Sequence, residues 1–507
     1  MASPEQIIQM DGSGTETRAK KSVKFRGGLR FISSLLLPLA LGVFTIVITF
    51  QQQSAAKQQR DDDREASQQQ RDQEKQEAGL LRKQEEYLDK QRYQNGRFDA
   101  YIKEMGKLLK ENHGEIISSK VAITLARVQT LNIFRQLDAQ RNVHIIRFLY
   151  EAKQLTDTPE NRSLDLSAAE LFDIDFRNAS IKKKLLHNLS LTGVFLTNAT
   201  FIDLEMEHIS FADTEFDIAN FSLGRINHGN FSFTIFHNAN FSYTRLNNVD
   251  FSSAKLFTLN YSSANILNAV FNKVSVRNIN FSFAQLVNVD FSSARLENVD
   301  FSYALLNNVT FSSTSLTNVN FSHAQLFNVK FSSANLNYAN FSFAELVKAD
   351  FSGSQFMNVN FSYTLLNSAT FEYAVVSNTN FQQSSCVASI FNYGTLSYCN
   401  FWHSNLKDAT FKQATLNQVN FSRANLYKTN FAGANMAKSE LDNTLSIQDA
   451  ILTNGIRVHD ENLISNGQAD CNISHISDWT VSNGNITSVI SNSSNSNCQF
   501  TLQSLST

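Results

Sequence analysis

Apolar residues recur at almost every fifth position from Leu166 to Leu441, through about 56 consecutive pentads without a slip. The stretch Val249-Asp-Phe-Ser-Ser-Ala-Lys-Leu-Phe-Thr258 holds two pentads, centred on Phe251 and Leu256. The same register then carries Phe271, Phe291, Phe311, Phe331, Phe351, Phe371, Phe391, Phe411 and Phe431. Neither an α-helix nor a flat strand has a period of five. A long fixed period implies stacked coils that bury one continuous core. Most of this chain is therefore expected to be scaffold.

A second apolar or small residue stands two places before each centre, as Val249 does before Phe251, Ala254 before Leu256 and Ala284 before Leu286. Residues two apart on an extended segment face one side, so both point inward and the other three point outward. A longer step of twenty is also visible. Phe221, Phe241, Tyr261, Phe281, Phe301, Phe321, Phe341, Phe361, Phe381, Phe401 and Phe421 form one column, and Phe211 to Phe431 form another. About half of the 42 phenylalanines belong to these columns, and leucine fills much of the other two. No proline follows Pro159, as a stacked rod requires. Departures are few: Lys184 stands where a small inward residue is expected, Cys386 replaces a central Phe or Leu, and Val276 and Val376 are smaller centres. The first coils are accordingly expected to be irregular.

Over residues 164–445 this pattern resembles the pentapeptide-repeat family, whose pentads read roughly Ala-(Asp/Asn)-Leu-x-x. The resemblance implies a mainly β fold, a right-handed quadrilateral β-helix with four pentads per coil. At about 4.8 Å per coil, roughly 14 coils give a solenoid on the order of 65–70 Å long. Some members of that family mimic DNA and bind topoisomerases, a role that needs a strongly acidic surface. Here residues 164–445 hold 20 acids against 17 bases and the whole chain has net charge −2. No nucleic-acid partner is expected.

The N-terminus is basic: Arg18, Lys20, Lys21, Lys24, Arg26 and Arg30 precede an uncharged apolar run from Phe31 to Phe50. Some twenty apolar residues can span a bilayer, and Pro38 is tolerable in such a helix. The sequence thus predicts a basic cytosolic tail at 1–30 and a single transmembrane signal-anchor at 31–50, with the body extracellular or lumenal. A cleaved signal peptide is less favoured, because the apolar run is long and its leader is about 30 residues. Residues 51–79 are rich in Gln and charge without an apolar face, which suits a solvated helix or a disordered spacer. Helical periodicity returns over 80–158, with Phe98, Tyr101, Ile102, Met105 and Leu109 on one face. Breaks at Asn112-His-Gly114 and Gln140-Arg-Asn142 predict about three helices. Residues 122–155 resemble the helical segment that precedes the repeats in some family members. A cap on the first coil is preferred to an oligomerising coiled-coil stalk, because heptads are not sustained.

Beyond Leu441 the register fails at Ser446, and 446–507 is rich in Asn and Ser. Asn462-Leu-Ile-Ser-Asn-Gly-Gln468 with Asp478-Trp-Thr480 resembles the opening of a carbohydrate-binding β-sandwich, but the remaining length is too short for a complete one. This segment is read as a truncated remnant or a small cap in which Cys471 and Cys498 could form a disulfide. Cys386 and Cys399 fall on inward positions.

No catalytic residue, cofactor or metal site is expected. His208 and His228 lie twenty apart beside Glu207 and could hold a metal, but two exposed repeat positions are the preferred reading. The sequons Asn220-Phe-Ser, Asn240-Phe-Ser, Asn280-Phe-Ser, Asn320-Phe-Ser, Asn340-Phe-Ser and Asn360-Phe-Ser follow from the pentad itself, so they say little about glycosylation. Asn248, Asn268, Asn288, Asn308 and Asn328 repeat every twenty residues, as an amide ladder between layers does. A parallel column, Leu223, Tyr243, Ser263, Phe283, Tyr303, His323, Phe343 and Tyr363, should face solvent. Its counterpart is Ser253, Lys273, Ser293, Ser313, Ser333 and Gly353. The candidate interaction stripe is therefore Tyr243, Phe283, Tyr303, His323, Phe343 and Tyr363. The function expected is a non-enzymatic, membrane-anchored scaffold with a protein partner or self-association. The alternative is a cell-surface glycan binder acting through the C-terminal segment. An ordered-water or ice-binding surface on the Ser/Asn faces is a weaker third.

Overall fold

The computed structural model describes residues 29–158, 162–177, 184–458, 485–489 and 499–503. The chain forms two compact units, Met1–Arg92 and Tyr93–Thr507. Cys471, Cys498, Trp479 and the whole segment resembling a sandwich opening lie outside the described residues.

One helix, α1, runs over Leu29–Glu111. In the first unit it is long and apolar enough to cross a membrane, and Leu39, Phe44 and Phe50 are exposed. The Thr45 and Thr49 hydroxyls each donate to the carbonyl four residues back, at 2.6 Å, which satisfies them without water. Residues 51–79 are helix throughout, not a disordered spacer. Short-range pairs such as Gln70–Glu74 at 3.1 Å and Arg71 to the Ser67 carbonyl at 3.0 Å accompany it. Each such pair adds only a few tenths of a kcal/mol.

In the second unit α1 ends where His113 takes φ 54° and the Gly114 amide donates to the Leu109 carbonyl at 2.8 Å, as in a Schellman stop. Helices α2 (Lys120–Phe134) and α3 (Ala139–Glu151) follow. The second break comes earlier than Gln140-Arg-Asn142, and those residues occupy the first turn of α3. The cause is Asp138, whose carboxylate accepts the Arg141 amide at 3.0 Å and caps the helix. Asn142 is buried and donates to the Phe134 carbonyl at 3.1 Å. These helices share the core of the first coil. Arg127 donates to the Ser167 carbonyl at 3.0 Å, Tyr150 to the His187 carbonyl at 2.8 Å, and the Leu164 amide to Gln154 at 2.7 Å.

Residues 164–177 and 184–458 form a four-sided β-solenoid of about 12 turns. Strands centred on the inward leucine columns, three residues long except for Ser275–Asn280 and Arg295–Asp300, build one parallel sheet of 13 strands and another of 8. Partners lie twenty apart: Leu286 pairs with Ile266, and Leu296 with Leu316. From Glu345 onward the second face keeps its bridges but turns tightly, the Ala349 amide donating to Leu346 at 3.2 Å. The Phe columns lie on the remaining two sides. Phe281 and Phe301 stack with centroids 4.9 Å apart and planes 2° from parallel, while Phe291 meets Phe301 edge-on at 6.1 Å and 84°. The layer spacing of about 4.8 Å sets the first contact, and the favourable edge-to-face geometry supplies the second.

Each pentad closes through its fifth residue, two places after the centre, which lies at positive φ along nearly the whole solenoid. The residue before the centre is often Asn or Asp, and its side chain accepts the amide two residues on, as Asn280 does from Ser282 at 2.8 Å. This Asx turn explains why the sequence reads Asn/Asp-Phe-Ser.

The register changes twice. Leu171 pairs with Leu196, a step of twenty-five, so the first coil is one pentad longer than those that follow. At the other end Asn425 bridges Ser446. The short 3-10 helix Lys438–Leu441 absorbs one residue, and a last coil continues to Val458, past the boundary at 445. A separate two-stranded antiparallel pair comprises Asn485–Val489 and Gln499–Gln503.

Candidate interaction surface

The stripe is a stack of rings built on left-handed backbone. Phe283, Tyr303, His323, Phe343 and Tyr363 all have φ between 57° and 61°. Consecutive centroids lie 5.0, 4.8, 4.9 and 4.8 Å apart, with planes within 5° of parallel. Phe283 is 60% exposed, Tyr303 53%, Phe343 50% and Tyr363 46%. Stacking covers ring faces and leaves ring edges to solvent. Tyr243 shares the column and is exposed, but Ser263 separates it from Phe283, so the continuous stack begins at Phe283.

The opposite column is not polar throughout. Beyond Gly353 it carries Tyr373 and Tyr393, stacked at 5.0 Å and both exposed. Tyr338 and Tyr398, also exposed and left-handed, add aromatic surface on a further edge. Continuing the step of twenty past 353 finds the first pair, and the step from Asn318 finds the second. Residues 301–406 contain only five charged side chains, Lys330, Glu345, Lys348, Asp350 and Glu372. Charge depletion with aromatic enrichment is the composition of an interface core.

The asparagine column behaves as a ladder. Asn288 donates to Asn268 at 2.9 Å, Asn308 to Asn288 at 2.7 Å and Asn328 to Asn308 at 3.1 Å, while Asn248 meets His228 instead. All lie at positive φ, which Asn tolerates better than most residues. A second ladder runs through the sequon asparagines: Asn340 donates to Asn320 and Asn360 to Asn340, each at 3.1 Å, and the same side chains accept Ser342 and Ser362 amides. A glycan on those nitrogens would displace the interlayer bonds.

Cys386 and Cys399 are buried and free, and burial pushes both thiols up to about 12. His208 and His228 stack at 4.6 Å, and Glu207 lies 3.9 Å from His208.

A parallel solenoid with a phenylalanine-filled interior and Asx-closed corners defines a pentad-built β-helical protein. Residues 244–321 and 287–361 match the pattern described as the pentapeptide repeat region, and residues 214–252 and 404–443 match pentapeptide repeats (8 copies). The repeat region belongs to the pentapeptide-repeat family. The chain is similar to trypsin-treated QnrB1, a plasmid-mediated fluoroquinolone resistance protein, with 18% identity over 40% of this chain and 83% of that one, at a TM-score of 0.22. HetL, a pentapeptide repeat protein involved in heterocyst differentiation regulation from a Nostoc cyanobacterium, shows 19% identity over 55% and 94%, TM-score 0.17. A pentapeptide repeat protein of the Arabidopsis thaliana thylakoid lumen shows 19% over 28% and 83%, TM-score 0.18. No curated protein matches this sequence.

Proposed function

We propose that this chain is a membrane-anchored, non-enzymatic scaffold that recruits protein through the aromatic edge of its solenoid, the first occupant being a second copy of the chain. Pentapeptide-repeat proteins are generally structural or interaction proteins. The observation that carries the reading is the placement of exposed rings on left-handed backbone. That conformation costs a non-glycine residue roughly 1–2 kcal/mol, and in the neighbouring column Asn fills the same position. Rings there add exposed apolar surface with no core to fill, which favours selection for contact. The charge-poor span 301–406 supports the same surface. The basic cluster before Phe31 and the exposed apolar residues of α1 from Leu39 to Phe50 support a single span with the N-terminus in the cytosol.

Sedimentation of the full chain in detergent tests the proposal. With Phe283, Tyr303, Phe343 and Tyr363 changed to Asn, the fold should persist and the self-associated species should dissociate. A wild-type chain that is monomeric, or a variant of unchanged mass, contradicts the self-association reading. Protease protection of tagged termini in intact vesicles tests the orientation: only the N-terminal tag should be cleaved from the cytosolic side.

A further inference from the structure

We propose that Glu207, His208 and His228 form a surface site for a borderline divalent metal ion of the zinc type, with His187 and Asn248 as supporting groups. The sequence alone favours two exposed repeat positions. The structure adds the surroundings of those residues. The ligand atoms of Glu207, His208 and His228 all lie within 4.8 Å of one another. His208 and His228 occupy fifth positions of successive coils, their rings 4.6 Å apart and 10° from parallel. Glu207 ends the strand Glu205–Glu207, with one carboxylate oxygen 3.9 Å from His208 Nε2. Zinc held by imidazole nitrogens at about 2.0–2.1 Å in tetrahedral geometry sets those nitrogens roughly 3.4 Å apart. Side-chain rotation must therefore close the set by up to about 1.4 Å, and both imidazoles are exposed.

Two neighbours are placed as groups behind metal ligands are. The other oxygen of Glu207 lies 3.1 Å from His187 Nδ1, so His187 orients the carboxylate. Asn248 Nδ2 lies 3.2 Å from His228 Nε2. With that amide turned over, its oxygen accepts the Nε2 proton and leaves Nδ1 of His228 with a free lone pair. Such hydrogen bonds fix the tautomer and raise the basicity of a ligating histidine. Other histidines of the solenoid have different company: His237 stacks on Phe257, His323 lies in the aromatic stack, and His403 lies near Arg423. Two imidazoles and one carboxylate leave a coordination position for water or a partner's side chain.

The test uses untagged full-length protein in detergent, stripped with chelator and titrated calorimetrically with Zn²⁺, with Co²⁺ as an absorption probe. Variants are His208→Asn, His228→Asn and, as a control, His403→Asn. Asn occupies the left-handed position at residues 248, 268, 288, 308 and 328 of the same column, so the first two substitutions suit the backbone. Removing a supporting partner alone weakens a metal site about 10–100-fold, so losing an imidazole should weaken Zn²⁺ binding at least tenfold. The expected result is one ion per chain, weakened in both site variants and unchanged in the control. Absence of saturable one-to-one binding, or site variants that bind like wild type, overturns the proposal.

Discussion

Tyr261 replaces phenylalanine in an interior column, stacked between Phe241 at 4.8 Å and Phe281 at 4.9 Å. Its hydroxyl is buried without a hydrogen-bond partner, a cost of about 1–3 kcal/mol. Tyr261→Phe should therefore stabilise the solenoid by about that amount in chemical denaturation, and equal or lower stability would contradict it. Burial also holds the phenol well above its ordinary value. The sign follows: the folded state keeps Tyr261 neutral while the unfolded chain ionises above about 10, so its contribution persists below that pH and is lost as pH rises past it. The gain from Tyr261→Phe should thus grow above pH 10. Cys386 and Cys399, raised to about 12 by burial, should resist maleimide in the folded protein and react only on unfolding.

At the scale of one corner, sequence and backbone constrain each other. Asn308 donates to Asn288 and accepts from Asn328 while at φ 55°. Asn308→Val removes both bonds and forces a β-branched residue into left-handed space, a loss of about 2–4 kcal/mol. Asn308→Gly removes the bonds alone and should cost less than half as much; equal losses would contradict the corner geometry. The pentad centres, the Phe columns and the amide ladder were legible in the sequence, because stacking ties each residue type to one position. The left-handed corner was not recognised, although Asn, Asp, His and Gly recur there. The helical state of 51–79 was ambiguous because an exposed single helix has no apolar face to reveal its period. Asp138 decided the start of α3 against the weaker Gln140-Arg-Asn142 cue. The one-residue shift at Lys438–Leu441 hid the last coil, since Ile447 then falls out of register. Of the candidate surface, the stack from Phe283 to Tyr363 was legible, whereas Tyr373 and Tyr393 lay past the point to which the column was followed.

In the second unit as a whole, stability should add coil by coil, because each coil touches only its neighbours. The helical residues 93–158 cover the first coil and bury Leu155, Leu164 and Leu166 with it. Truncation before Leu164 should therefore expose apolar surface and promote aggregation; a soluble, equally stable truncated solenoid would contradict the capping role. The central claim is that residues twenty apart lie one layer apart. It is tested by dipolar electron-spin distances in the full chain with Cys471 and Cys498 changed to Ser and labels placed at exposed fifth positions. Ser313 and Gln413 are five layers apart and Ser293 and Gln413 six, so the backbone separations should be about 24 and 29 Å at 4.8 Å per layer. A difference of one layer between the two pairs supports the account. Distances that do not grow by one layer spacing per twenty residues would contradict it, as would the 150 Å or so of a hundred-residue helix.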